Sequence, residues 1–243
     1  MSRPRAERLR GCLLSLSVDN HVDVWVFTET HPDVDPGSGY RIVTSSSPAP
    51  DRFGAERWVS IWARSDLSAS PLDSADPERT ACARFSFVGT ADWYIYGTVL
   101  PWHGDKRCPP VIGKTAFQTA LAAQKSDWVQ IQARHPEVRL IVTGDFNQDM
   151  LDNGHYYGSS IRRRALQDAL KQTELECVTG GSEDPVVTQK EGHASVDHIC
   201  ISRNLRGRDT RPKVWPKTAQ LRRGLSDHFG VVVSLNVASS TSD

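Results

Sequence analysis

Short apolar runs separated by Gly-, Pro- and Ser-rich stretches dominate this chain, and only a few segments hold a helical spacing. Arg5 to Val22 mixes apolar and basic positions, with Leu9, Leu13 and Leu16 on one side, and predicts a helix. Lys114 to His135 predicts a long one, with Phe117, Leu121, Trp128 and Ile131 near helical spacing and Pro136 as its stop. A third begins at Ser159 or Ser160, whose hydroxyl suits an N-cap, and runs to about Thr173. Strand-like runs fall at Asp23–Phe27, Tyr40–Val43, Arg57–Ala63, Ala81–Val88, Trp93–Leu100, Leu140–Thr143, Val186–Thr188, Ser195–Ser202, Lys213–Trp215 and Phe229–Leu235. Ala81–Val88 and Trp93–Leu100 read as an antiparallel hairpin across Gly89-Thr90-Ala91-Asp92. Arg57–Ala63 is apolar on both sides, so both of its faces are expected to be covered. His31–Asp51 and Ser65–Glu78 read as polar, Pro-bearing loops. Strands outnumber helices, and hairpins mix with crossovers. The expected class is α/β (α+β), two mixed β-sheets packed together and flanked by helices. No repeat or low-complexity insert divides the chain, so residues 1–243 are expected to form a single domain with its core at about 5–236.

Composition narrows the picture. A chain of 243 residues can bury a sizeable core, and its 38% apolar content suits a soluble globular protein. Lys+Arg and Asp+Glu both number 29, so the global basic excess of a non-specific duplex binder is absent. Arg162-Arg163-Arg164 and Arg222-Arg223 would serve either as a local basic rim or as solvated faces. The five cysteines are odd in number and lack ligand spacing, which reads as reduced thiols in a reducing, cytoplasmic compartment. No apolar run has transmembrane length, and the basic Met1–Arg10 is not followed by a signal-type apolar region. His31, His103, His135 and His155 show no zinc-ligand spacing.

The chemistry collects at the ends of strands. Gly144-Asp145-Phe146-Asn147 directly follows the apolar run Leu140-Ile141-Val142-Thr143. Residues two apart on an extended backbone share a face, so Asp145 and Asn147 can grip one target together. An Asx-rich turn closing a strand would use the same residues. Three further runs break that symmetry of readings. Thr28-Glu29-Thr30 ends one strand, Val196-Asp197-His198-Ile199 carries an acid beside an imidazole, and Ser226-Asp227-His228 precedes the last apolar run. Charged groups are seldom buried without partners, so four such sets suggest a hydrolytic metal site. His198 alternates out of register with Asp197 and reads as structural or rim-facing; His193 reads as a loop residue. Pro101-Trp102-His103-Gly104-Asp105 follows strand Trp93–Leu100 and is expected on the same rim. There Trp102 and His103 are candidate substrate contacts, although Trp102 would equally cover the core edge.

Taken in order, these four motifs resemble the endonuclease/exonuclease/phosphatase superfamily, which includes deoxyribonuclease I-like and exonuclease III-like nucleases and phosphatases. The resemblance covers roughly residues 15 to 236. It implies a four-layer sandwich and a divalent-metal-dependent phosphoester hydrolase, most simply a phosphodiesterase or nuclease using in-line attack by water. The alternatives are a phosphomonoesterase for a small phosphorylated molecule or lipid headgroup, and a non-catalytic binding domain of the same fold. By resemblance, Glu29 and Asp227 are metal ligands for Mg²⁺ or Mn²⁺, which favour oxygen donors. His228 contacts the scissile phosphate and Asp197 hydrogen-bonds to it. Asp145 orients or deprotonates the attacking water, and Asn147 holds a phosphate oxygen. The implied partner is a phosphoester substrate, nucleic acid among the candidates, with the protein a monomer. Two departures stand out. The family's first strand with its Asn has no room ahead of Glu29, which points to a missing first strand or a start placed too far downstream. Thr98 stands where the family often has His or Tyr, and neither Tyr96 nor His103 has the register to replace it.

Overall fold

The computed structural model describes residues 22–30, 34–45, 56–86, 91–105, 115–134, 137–189, 193–205, 211–215 and 226–235. β1 (Val24–Thr30), β2 (Tyr40–Thr44) and β3 (Arg57–Arg64) form an antiparallel sheet in the order β1-β3-β2. β4 (Ser68–Leu72), β5 (Thr80–Ser86), β6 (Trp93–Val99), β7 (Arg139–Asp145), β8 (Leu175–Cys177) and β9 (Asp197–Ser202) build a six-stranded sheet. Its order is β4-β5-β6-β7-β9-β8, with β6 and β7 parallel and the other neighbours antiparallel. β10 (Lys213–Trp215) pairs with β11 (Gly230–Val232). Helix α1 (Ala116–Arg134) makes the crossover between the parallel strands, α2 (Ser160–Gln172) follows β7, and α3 (Pro185–Thr188) is a single turn.

Both faces of the six-stranded sheet are covered, and β6 shows how. All seven of its residues are buried. Tyr94 and Tyr96 join Phe117, Leu121 and Trp128 in a core on the helix side. Trp93, Ile95 and Val99 alternate to the opposite face, against Trp58, Val59 and Ile61 of β3. The result is helices over a mixed sheet over a second sheet, an α/β sandwich as expected. On α1, Phe117, Leu121, Trp128 and Ile131 are all buried, as their spacing requires. Ser159 caps α2 by accepting the Arg162 amide, and Thr173 closes it.

Several expectations change. The loop expected over Ser65–Glu78 contains β4, an edge strand whose Ser68, Ser70 and Pro71 suppress the usual signal. Proline is tolerated there because an edge leaves some amides without ladder partners. Val186–Thr188 is helical rather than extended: Pro185 starts the turn, and Asp184 Oδ1 accepts the amides of Val186 and Val187. β8 was not expected, and the Phe229–Leu235 run yields only β11. The helix expected over Arg5–Val22, and the question of the first strand, lie outside the described residues except for Val22. No helix among the described residues is long and apolar enough to cross a membrane.

Candidate active site

β7 and β9 are antiparallel neighbours whose register sets Asp145 directly opposite Asp197. Gly144 makes the approach possible. Its φ is 137°, and a Cβ there would lie 2.1 Å from the Thr98 carbonyl oxygen of parallel β6. Only glycine fits that backbone and that gap. Past Asp145 the chain turns sharply, with Asn147 left-handed at φ 51°, a conformation Asn tolerates better than most residues. The turn is clamped: Asp145 Oδ1 accepts the Asn147 amide at 2.8 Å, and Oδ2 accepts Asn147 Nδ2 at 2.9 Å. Nδ2 also donates to the Leu100 carbonyl at 2.9 Å. Asn147 thus holds Asp145 in place, and one of these bonds must open before Nδ2 can meet a phosphate oxygen.

Ser226-Asp227-His228 forms a tight turn in which Ser226 Oγ accepts the His228 amide at 3.1 Å. The turn brings His228 Nδ1 to 2.9 Å from Asp197 Oδ2, the partnership the sequence suggested. That hydrogen bond, outweighing partial burial, lifts the imidazole to about 10, with Asp197, Asp145 and Asp227 adding attraction. Burial raises Asp145 to about 8; the Asp197 and Glu29 charges add to the rise, while His228 and the Asn147 amide oppose it. Donor atoms of Asp145, Asp197 and His228 all lie within 4.8 Å of one another.

Glu29 is exposed near the end of β1, with φ 51°. A left-handed Glu in a strand costs about 1 kcal/mol, and its charge still reaches Asp145. Asp227 is exposed beside His228. Burial holds Asp145 above its usual range and the Asp197 and Glu29 charges add to it; a hard divalent cation suits such oxygen donors and would offset their repulsion. The other candidates fare differently. Trp102 packs with the core between the sheets, its ring 6.4 Å from Trp58, and His103 is exposed. Thr98 is buried and donates to Gln124 Oε1 at 2.6 Å, while Tyr96 donates to Asp127 on the helix side. Neither hydroxyl therefore faces the cluster. His198 is buried, with Nε2 3.0 Å from the Gln148 carbonyl oxygen, so it is structural and not on the rim. Of the two arginine runs, Arg163 is tied to buried Asp149 at 2.6 Å, and Arg222-Arg223 lies outside the described residues.

One neighbour of the cluster was missed. Tyr157 is 40% exposed, and its hydroxyl feels the charges of Asp145 and Glu29. Its amide and that of Tyr156 both donate to Asp149 Oδ2, which fixes the loop beyond Asn147. The adjacent Tyr156-Tyr157-Gly158 gave no periodic signal to mark it.

The fold is shared with solved endonuclease and exonuclease structures. The endonuclease domain of TRAS1, a telomere-specific non-LTR retrotransposon, superposes with a TM-score of 0.66 at 14% identity, covering 96% of this chain and 95% of its own. The AP endonuclease LMAP from Leishmania major gives 0.68 at 13% identity, with 95% and 83% covered. The 3'-5' exonuclease NExo from Neisseria meningitidis gives 0.63 at 18% identity, with 95% of each covered. Neither a protein-family model nor a curated protein sequence matches this chain.

Proposed function

We propose that the protein is a divalent-metal-dependent phosphodiesterase acting on nucleic acid. The observation that carries this reading is the meeting of Asp145, Asp197 and His228 within 4.8 Å at adjoining strand ends. The endonucleases and exonuclease that share the fold support it. His228, kept protonated by Asp197, donates to a non-bridging oxygen of the scissile phosphate and stabilises the charge that builds there. Asp145, fixed by two bonds from Asn147, accepts a proton from water aligned for in-line attack. Asn147 Nδ2 exchanges one of its present acceptors for a phosphate oxygen as substrate settles. Mg²⁺ or Mn²⁺ held by Glu29 and Asp227 would neutralise phosphate charge and lower the cost of ionising Asp145.

Purified protein is to be assayed with Mg²⁺, Mn²⁺ or EDTA on single- and double-stranded oligonucleotides, bis-p-nitrophenyl phosphate and p-nitrophenyl phosphate. Cation-dependent cleavage of the diesters supports the proposal. Turnover of the monoester alone would make it a phosphomonoesterase, and no turnover of any substrate would leave a binding domain.

A further inference from the structure

Cys177 and Cys200 are direct register partners on β8 and β9. The neighbouring pair, Val178 and Ile199, is joined by an amide-to-carbonyl bond of 2.9 Å. The cysteines therefore occupy the adjoining position, where strands share no ladder bond and side chains lie closest. Cα atoms across such a position are about 4.5 Å apart, within the roughly 4.4–6.8 Å that a disulfide bridges. Cys200 is fully buried, whereas Cys177 is partly exposed. Above Cys177 sits Gly180, where even a Cβ would come within 3.0 Å of Sγ, so the sulfur is covered on that side only by a residue without a side chain. His198 lies two residues before Cys200 and on its face, with its Nδ1 3.5 Å from Thr179 Oγ1.

We propose that Cys177 and Cys200 form a peroxide-reactive dithiol that closes into a cross-strand disulfide, a covalent modification site separate from the hydrolytic cluster. The Cys177 thiolate attacks one peroxide oxygen; the O–O bond breaks, and hydroxide leaves with a proton as water. Cys177 is then a sulfenic acid. The sulfur of Cys200 attacks it, the S–O bond breaks, and a second water departs with the Cys200 proton. Each sulfur gives up one electron, and the two peroxide oxygens take them. The two thiols are unequal in the sense this order needs. The neighbouring Cys200 thiol, with help from His198, holds Cys177 well below the usual thiol range, and burial holds Cys200 well above it. Among the described residues β8 is the last strand of its sheet and pairs only with β9 there, so the bond would tie that edge down.

The full chain is to be reduced, freed of reductant and treated with equimolar hydrogen peroxide. Remaining thiols are then blocked with N-ethylmaleimide in denaturant, and the digest is read by mass spectrometry. The expected product is a peptide pair joined through Cys177 and Cys200, cleaved by dithiothreitol, with Cys82 still alkylated. The oxidised protein should melt about 5 °C or more above the reduced one. In Cys200→Ser, dimedone should trap Cys177 as its sulfenic acid. Complete alkylation of both cysteines in the wild-type chain after peroxide, or Cys177 over-oxidised while Cys200 stays free, would overturn the proposal. Neither result depends on the variant folding, or on the hydrolase reading.

Discussion

His228 keeps its proton far above neutrality because Asp197 faces its Nδ1 at 2.9 Å, and that pairing has a measurable sign. A histidine near 6.5 when unfolded and raised to about 10 when folded stabilises the fold fully below about 6.5. The contribution is lost as pH climbs through about 10. Asp197→Asn should return His228 toward its ordinary value, read as the midpoint of its ring resonances by NMR. It should also flatten the fall in melting temperature between those two pH values. An unchanged midpoint would show that the carboxylate is not what holds the proton. The motif residues themselves were legible: a glycine-terminated apolar run exposed Asp145 and Asn147, and an acid beside an imidazole exposed Asp197. The mutual clamp of Asp145 and Asn147 was not, because it depends on a left-handed turn that alternation along a strand cannot foretell.

At the scale of elements, the end of β7 depends on its contact with β6. Gly144→Ala would drive a methyl group to within 2.1 Å of the Thr98 carbonyl from a backbone that alanine resists. We expect a loss of about 3 kcal/mol or more, measured by urea unfolding. A cost below about 1 kcal/mol would mean the strands part easily there. Buried, regular segments were readable in sequence because packing imposes period: the face of α1 and the hairpin of β5 with β6 match their patterns. β4 and α3 escaped for opposite reasons. An edge strand can carry serine and proline with little packing signal, and Val186-Val187 looks extended until Asp184 and Pro185 set the turn.

For the molecule as a whole, the six-stranded sheet and α1 carry much of the core. Trp128 is fully buried, with its ring 6.2 Å from Tyr96 in an edge-on arrangement. Trp128→Ala should cost about 3–5 kcal/mol, visible in equilibrium unfolding; a small effect would mean the helix layer is not coupled to the sheet. Strand order was the part least legible. β9 inserts between β7 and β8, and this non-sequential placement brings Asp197 to Asp145 across 52 residues of chain. No local pattern encodes such a pairing; only the shared chemistry of the strand ends hinted at it. The central claim, that this convergence hydrolyses a phosphodiester, is tested most directly by the rate of bis-p-nitrophenyl phosphate cleavage in Mg²⁺ by wild type and His228→Ala. The variant should keep the wild-type circular dichroism and lose activity by about 10²–10⁴-fold. Equal rates for the two proteins would contradict the account.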